Sequence, residues 1–404
     1  MERNDPRYQA YVEILKEELI PAMGCTEPIA LAYAAAKARE VLGVLPDSVQ
    51  LQVSGSIIKN VKSVIVPNTG HLKGMEAAVA AGIIAGSAEK ELEVISEVSE
   101  EKKSAIRDYL QTVPITIEHT EQGHVFDIVV TERCGQDYAR VRIADYHTNI
   151  CRIEKNGTVL YEVPLLDETV QEDARADRSL LNMQDIWDFA ETADLRDVAD
   201  LLERQIRYNN AIAEEGLLGD YGANIGRVLL TTYGNDVSNR AKAKAAAGSD
   251  ARMNGCELPV IINSGSGNQG ITCSVPLIEY AKELHSGKEK LYRALIISNL
   301  VAIHEKTGIG TLSAYCGAVS AGAGAGAGIV YLCGDGYQAA IHTVVNALAI
   351  VSGIVCDGAK ASCAAKIASS VDAALLGYNM YKCNQEFKGG DGIVMKDIET
   401  TIKG

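Results

Sequence analysis

The stretch Ala321-Gly322-Ala323-Gly324-Ala325-Gly326-Ala327-Gly328 decides how the second half of this chain folds. Strict alternation of two small residues suits a silk-like strand, because side chains in β-structure point to opposite faces in turn. It equally suits a helix that other backbones approach closely. The apolar run it belongs to, residues 322–355, continues with helical spacing, so a helix is expected. Glycine inside a helix costs roughly 1 kcal/mol against alanine at each position, and close packing has to offset that. Asp335, Gln338, His342 and Asn346 interrupt the run. No unbroken stretch reaches the roughly 18–20 residues of a membrane span, so buried helices are expected and no membrane partner.

The rest of the composition agrees with a core of small side chains. Among 404 residues there are 37 glycines, one tryptophan (Trp187) and three phenylalanines, with 47% hydrophobic residues. That length and apolar content exclude general disorder. The formal net charge of −15 leaves no basic field to replace counterions on a phosphate backbone, so no nucleic-acid partner is expected. The N-terminus is charged and lacks the apolar core of a signal peptide, and a cytoplasmic location is expected. In that setting the ten cysteines are not a disulfide framework. The oligomeric state is unspecified, and a homo-oligomer is compatible with it.

On the N-terminal side of this run the pattern changes. Residues 7–20 and 28–41 read as helices, with Thr26 as N-cap of the second and Cys25 just before it. Residues 48–58, 63–66 and 91–96 read as strands, 75–85 and 99–110 as helices. The stretches 114–119, 125–131, 139–144 and 150–154 read as an antiparallel series separated by polar turns. After an acidic stretch, 167–177, helical periodicity runs through 183–214 and, broken by glycines, 216–248. The expected fold is α+β: a predominantly helical C-terminal domain (167–404), an α+β domain with an antiparallel sheet (46–166), and N-terminal helices (1–45) that pack on the helical domain and carry Cys25.

Four constellations could carry chemistry. Cys316, Cys356 and Cys363 are each followed by small residues, and the last two lie seven apart. Three such thiolates could hold an iron–sulfur cluster with one iron open to substrate; buried apolar cysteines are the competing reading. No Cys-x-x-Cys pair occurs, which excludes a zinc-finger arrangement. Cys25 precedes a helix N-terminus, where the dipole would depress a thiol pKa and favour thiolate. The loop at 263–270, Asn-Ser-Gly-Ser-Gly-Asn-Gln-Gly, follows a strand-like stretch at 258–262 and precedes a helix beginning near Ile271. Its amides and its Ser264, Ser266, Asn268 and Gln269 side chains suit an anion, or form a turn with no ligand. It lacks the Gly-Lys-Ser/Thr ending of a phosphate loop. Finally, His304, Lys306, Asp357, Lys360 and Lys366 surround the cysteine segments; a lysine there could hold a substrate carboxylate or counter a cluster's charge, and a solvated surface is the simpler reading. His342 reads as a core histidine. His71, His119, His124 and His147 have no evident partners.

Taken together, Gly24-Cys25-Thr26-Glu27-Pro28, Ser264-Gly265-Ser266-Gly267-Asn268-Gln269-Gly270, Leu312-Ser313-Ala314-Tyr315-Cys316-Gly317 and Cys356-Asp357-Gly358-Ala359-Lys360-Ala361-Ser362-Cys363 resemble the L-cysteine desulfidase family, which is related to the alpha region of iron–sulfur L-serine dehydratases. The resemblance covers nearly the whole chain, and four motifs in order are far more specific than any one. It implies a PLP-independent lyase converting L-cysteine and water to pyruvate, ammonia and sulfide. Cys316, Cys356 and Cys363 would be ligands of a [4Fe–4S] cluster and Cys25 the reactive cysteine. Ser264, Ser266, Asn268, Gln269 and Lys360 would bind the amino-acid substrate. Cys25, as thiolate, would remove the α-proton, with a lysine as the second choice. Related dehydratases can end in a cysteine that occupies the open iron; this chain ends Thr401-Ile402-Lys403-Gly404, so that self-ligation is not expected. The same architecture acting on L-serine or another β-substituted amino acid, and a non-catalytic iron–sulfur redox sensor, are the alternatives.

Overall fold

The computed structural model describes residues 1–121, 124–165, 175–310 and 312–404. It is mixed α+β, with a six-stranded sheet in the middle of the chain and helices through the C-terminal part. Most of the acidic stretch 167–177 falls outside the described residues.

Helix α1 (Pro6–Glu18) is capped by Asp5 and packs Tyr8 and Tyr11 edge-on against Phe189, at ring-centroid distances of 5.2 and 5.4 Å. A short strand β1 (Pro21–Met23) leads into α2 (Thr26–Leu42). Then come β2 (Ser48–Val53), α3 (Gly55–Val61), α4 (Gly74–Ala85) and α5 (Glu100–Thr112). Strands β3 (Ile115–His119), β4 (Asp127–Cys134), β5 (Asp137–Ala144), β6 (Ile150–Lys155) and β7 (Thr158–Glu162) complete the sheet, in the order β3-β2-β4-β5-β6-β7. The β2–β3 pair is parallel and the other pairs are antiparallel. Alternation puts Val49, Leu51 and Val53 of β2 and Ala139, Val141 and Ile143 of β5 on the buried face, and α2 packs against β4 and β5.

Three local expectations fail. Only 48–53 of the stretch 48–58 is strand. Beyond Ser54, whose hydroxyl donates to the Val125 carbonyl at 2.7 Å, Ile57 and Val61 bury at helical spacing in α3. Residues 63–66 make only an isolated bridge, Ile65 to Lys73. Residues 91–96 are not a strand either. A 3-10 turn (Ala88–Glu93) puts Leu92 into the core directly, with Val94 and Ile95 following, and β3 already occupies that edge of the sheet. Strand β7 was not anticipated, because its residues are exposed and carry no burial pattern.

The helical part comprises α6 (Met183–Thr192), α7 (Ala199–Leu218), α8 (Ile225–Tyr233), α9 (Val237–Met253), strand β8 (Pro259–Ile261), α10 (Gly267–Glu283), α11 (Lys288–Ile309), α12 (Gly317–Cys333), α13 (Tyr337–Val351), α14 (Ser362–Lys382) and α15 (Ile398–Lys403). The alanine–glycine repeat is helical, as expected, and α12 contacts α10, α11, α13 and α14. A methyl group on Gly324 would stand 2.4 Å from the Ser298 carbonyl of α11, and one on Gly328 would stand 2.5 Å from Leu277 of α10. The helix propensity lost at each glycine is therefore offset by backbone-to-backbone contact on several sides.

Gly324→Ala should destabilise the protein by about 1–3 kcal/mol through overpacking, whereas Gly308→Ala, whose methyl meets open space within α11, should leave the melting temperature unchanged or slightly raised. Equal melting temperatures for the two variants would show that α12 is not tightly enclosed.

Candidate active site

Cys316 is the N-cap residue of α12. Its amide donates to the Ile354 carbonyl at 3.2 Å, and the Cys356 amide donates to the Ala314 carbonyl at 2.7 Å. This short ladder, centred on a Tyr315–Val355 bridge, sets the two cysteine segments side by side. Cys363 lies in the first turn of α14, its amide donating to the Lys360 carbonyl at 3.0 Å. Between them Gly358 adopts φ +101°, and α3 approaches so closely that a Cβ there would fall 2.5 Å from the Lys59 carbonyl.

The 263–270 loop forms the start of α10. Asn263 and Ser266 exchange backbone hydrogen bonds, and Ser264 and Gly265 take φ of +50° and +75°. Gly270 passes so close to β8 that a Cβ would lie 1.9 Å from the Ile261 carbonyl. Helix α10 thus begins at Gly267, ahead of the expected Ile271.

Cys25 reaches the same place through β1, which pairs antiparallel with β8 (Pro21 opposite Ile261, Met23 opposite Pro259). The Thr26 hydroxyl donates to the Gly265 carbonyl at 3.0 Å, tying the head of α2 to the loop. Two segments more than two hundred residues apart are joined there by a two-stranded ribbon.

The result is a cavity of about 110 Å³, room for a few waters at roughly 30 Å³ each or a small amino acid. Its wall includes Cys25, Cys316, Cys356 and Cys363, together with Ser264, Ser266, Asn268 and Gln269. Lys360 is not in the wall. Its ammonium pairs with Asp357 at 3.2 Å toward solvent, and Lys366 binds the same carboxylate. His304 pairs with Glu399 at 2.8 Å, and His342 is half-buried and pairs with Glu386 at 2.7 Å, so neither joins the cavity.

Lys306 does join it. It is buried, and burial weakens its ammonium to about 8 against the pull of Cys356 and Cys316; the solvated-surface reading does not hold for this lysine. Glu27, Asn60, His147 and Arg252 add to the polar lining, beside the hydroxyls of Thr26, Ser313 and Tyr315. Glu27 is its one carboxylate: Oε2 accepts from the Cys25 thiol at 3.0 Å, Oε1 accepts from Asn60 Nδ2 at 3.1 Å, and His147 Nε2 stands 4.0 Å away. Burial pushes the Glu27 carboxyl up, but His147, the thiol and its own amide outweigh it and hold the group below the usual carboxylate range.

Sequence spacing offered no route to His147, a lone histidine between β5 and β6 that packs edge-on against Phe126. Arg252 left a trace. Ala241, Ala245, Gly248 and Arg252 follow one another at helical spacing along the buried face of α9, which puts a charge in an apolar stripe.

The electrostatics reverse one expectation. Cys25 does cap a helix, but it is 2% exposed; burial pushes its thiol well up and the Glu27 charge adds to that, with Arg252 opposing. The dipole's influence at the N-cap is the smaller effect, so the resting group is a thiol and not a thiolate.

The three remaining cysteines fit a cluster by chemistry. Each is free, none is bonded to a carboxylate, and all face one cavity from three segments. Burial also pushes the Cys316 and Cys363 thiols up, and their neighbouring cysteines reinforce this, so loading would release protons. Among the described residues no three His, Cys, Asp or Glu side chains close on a point to hold a single metal ion. A polynuclear cluster instead needs sulfur donors spread around it.

Fold and cavity define a class: an α+β protein whose helical half presents thiols and amides to a small pocket that sheet-side residues close. Residues 89–404 match the family described as serine dehydratase alpha chain, and the chain belongs to that family. It is 62% identical over 402 residues to a UPF0597 protein of Desulfitobacterium hafniense, covering 100% of this chain and 93% of that one. A UPF0597 protein of Lachnoclostridium phytofermentans is 53% identical (98% and 94% covered), and one of Treponema denticola is 47% identical (100% and 95% covered). Among the described residues no helix is long and apolar enough to cross a membrane.

At pH 8 iodoacetamide should label exposed Cys383 well before Cys25, and Glu27→Gln should speed labelling of Cys25 by removing the charge that holds its proton. Peptide mass spectrometry reads both rates; equal rates at Cys25 and Cys383 in the unaltered protein would show that the thiol is not shut in.

Proposed function

We propose that this protein is an iron–sulfur-dependent lyase that eliminates sulfide from L-cysteine, giving pyruvate and ammonia. The observation that carries this reading is the convergence of Cys25, Cys316, Cys356, Cys363 and the 263–270 loop on one small cavity. Membership of the serine dehydratase alpha chain family supports an ammonia-lyase. It equally favours L-serine as an alternative substrate, with water as the leaving group.

Cys316, Cys356 and Cys363 would hold a [4Fe–4S] cluster. When bound, it supplies a Lewis-acidic iron toward the leaving atom. The protein's own groups do the rest. Amides at the start of α10, with Ser266, Asn268 and Gln269, hold the substrate carboxylate. The ionised Glu27 attracts its ammonium. Lys306, buried in the wall with no carboxylate in ion-pair range among the described residues, takes the α-proton in its neutral form. The electron pair of that C–H bond forms the Cα=Cβ bond as the Cβ–S bond breaks. The buried Cys25 thiol, protonated at rest, gives its proton to the departing sulfur. Aminoacrylate is left, and it tautomerises and hydrolyses to pyruvate and ammonia without further help.

Purified anaerobically, the protein should be brown with about four irons per chain, and should release sulfide and pyruvate from L-cysteine faster than pyruvate from L-serine. Cys316→Ala, Cys356→Ala and Cys363→Ala should lose iron and turnover together. Cys25→Ala and Lys306→Met should keep iron and lose roughly 10²–10⁴-fold in rate. Iron-free protein that still releases sulfide would defeat the assignment, and faster turnover of L-serine would move it to the alternative substrate.

A further inference from the structure

A buried guanidinium is normally met by a carboxylate. Helix α9 shows the rule in its other three cations: Arg240 pairs with Glu279 and Glu283, Lys242 with Asp372, and Lys244 with Glu214 and Glu279. Arg252, on the last turn of the same helix, breaks it. It is 3% exposed, no carboxylate among the described residues lies in ion-pair range of it, and its Nε has no hydrogen-bond partner. A charge buried in this way calls for an anion that arrives from outside.

The location says which anion. Arg252 lines the cavity and lies under the first residue of α10, where a Cβ on Gly267 would fall 2.2 Å from Arg252 Nε and 2.8 Å from its Cδ. The guanidinium fills the space that a side chain at 267 would need. Directly above it begin the first-turn amides of α10, which have no acceptor within the helix and receive no side-chain cap. Asn268 Oδ1, Gln269 Oε1 and Asn60 Oδ1, acceptors in the same wall, are also buried without a hydrogen-bond partner among the described residues.

We infer that Arg252 is the substrate-carboxylate anchor, so that the site takes amino acids with a free α-carboxylate and rejects their amides. The inference rests on the cavity being the substrate site. A guanidinium fork matches a carboxylate in two parallel hydrogen bonds, and the free amides of α10 add to the same anion. Glu27 in the same wall supplies the opposite charge for the ammonium, and the Cys25 thiol feels both charges. The pocket is thus built for a zwitterion.

The test is calorimetric binding of L-alanine, which has no leaving group, and of L-alaninamide to the iron-loaded full chain. The unaltered protein should bind L-alanine at least tenfold more tightly than the amide. Arg252→Met should abolish that ratio with iron content unchanged, and Arg252→Lys, which keeps the charge and the fold but not the fork, should reduce it severalfold. Retention of the full ratio in both variants overturns the assignment. So does loss of iron in both, which would make Arg252 a counter-charge for the cluster. Discrimination through Arg252 without turnover of any amino acid would leave the carboxylate site standing and sink the lyase; turnover with undiminished discrimination in Arg252→Met would sink Arg252 alone.

Discussion

A helix whose interior is methyl groups and bare backbone has no side chains with which to keep its neighbours away, and that sets the geometry of the rest of the molecule. Helix α12 is buried among four others because glycine and alanine let a carbonyl of α11 and side chains of α10, α13 and α14 reach its axis. Many short dispersion contacts replace the large side chains that an ordinary core uses. The N-terminus of this enclosed helix carries Cys316. One of the proposed cluster ligands is therefore attached to a closely enclosed helix.

Short backbone pairings do the remaining assembly. The ladder through Tyr315 and Val355 sets Cys356 beside Cys316, and the β1–β8 ribbon brings Cys25 and Glu27 to the head of α10. Neither pairing is large, yet each fixes register, and a slip of one residue would turn the functional side chains to the other face. The sheet contributes through the turn between β5 and β6, which sends His147 toward Gly265; a Cβ on that glycine would stand 3.0 Å from the ring. The pocket is therefore shared by the helical and sheet parts of the chain.

Charge in this pocket follows from burial more than from local position. Cys25 sits where a helix dipole favours thiolate, yet desolvation and Glu27 keep it protonated. Lys306 loses part of its basicity to the same desolvation. A buried acid and a weakened buried base beside polar atoms without partners form an environment that holds charge in reserve until a charged ligand enters.

Some of this was legible in the residues alone. The α+β division, the helical nature of the alanine–glycine repeat, the antiparallel strands after residue 125, and the motifs around Cys25, 263–270, Cys316, Cys356 and Cys363 depend on local pattern, and local pattern survives folding; the strand at 115–119 instead runs parallel to β2, a choice of neighbour that its own residues do not contain. Short segments misled where tertiary packing chose between alternatives, as at 55–61 and 91–96, whose apolar residues reach the core as helix or turn equally well. What only the tertiary structure decided is which charges are buried together. Lys306 enters the cavity and Lys360 leaves it, Arg252 has no carboxylate in ion-pair range among the described residues, and His147 comes within 4.0 Å of Glu27. Desolvation and pairing are properties of distances between segments far apart in the chain, and a linear order of residues does not contain those distances.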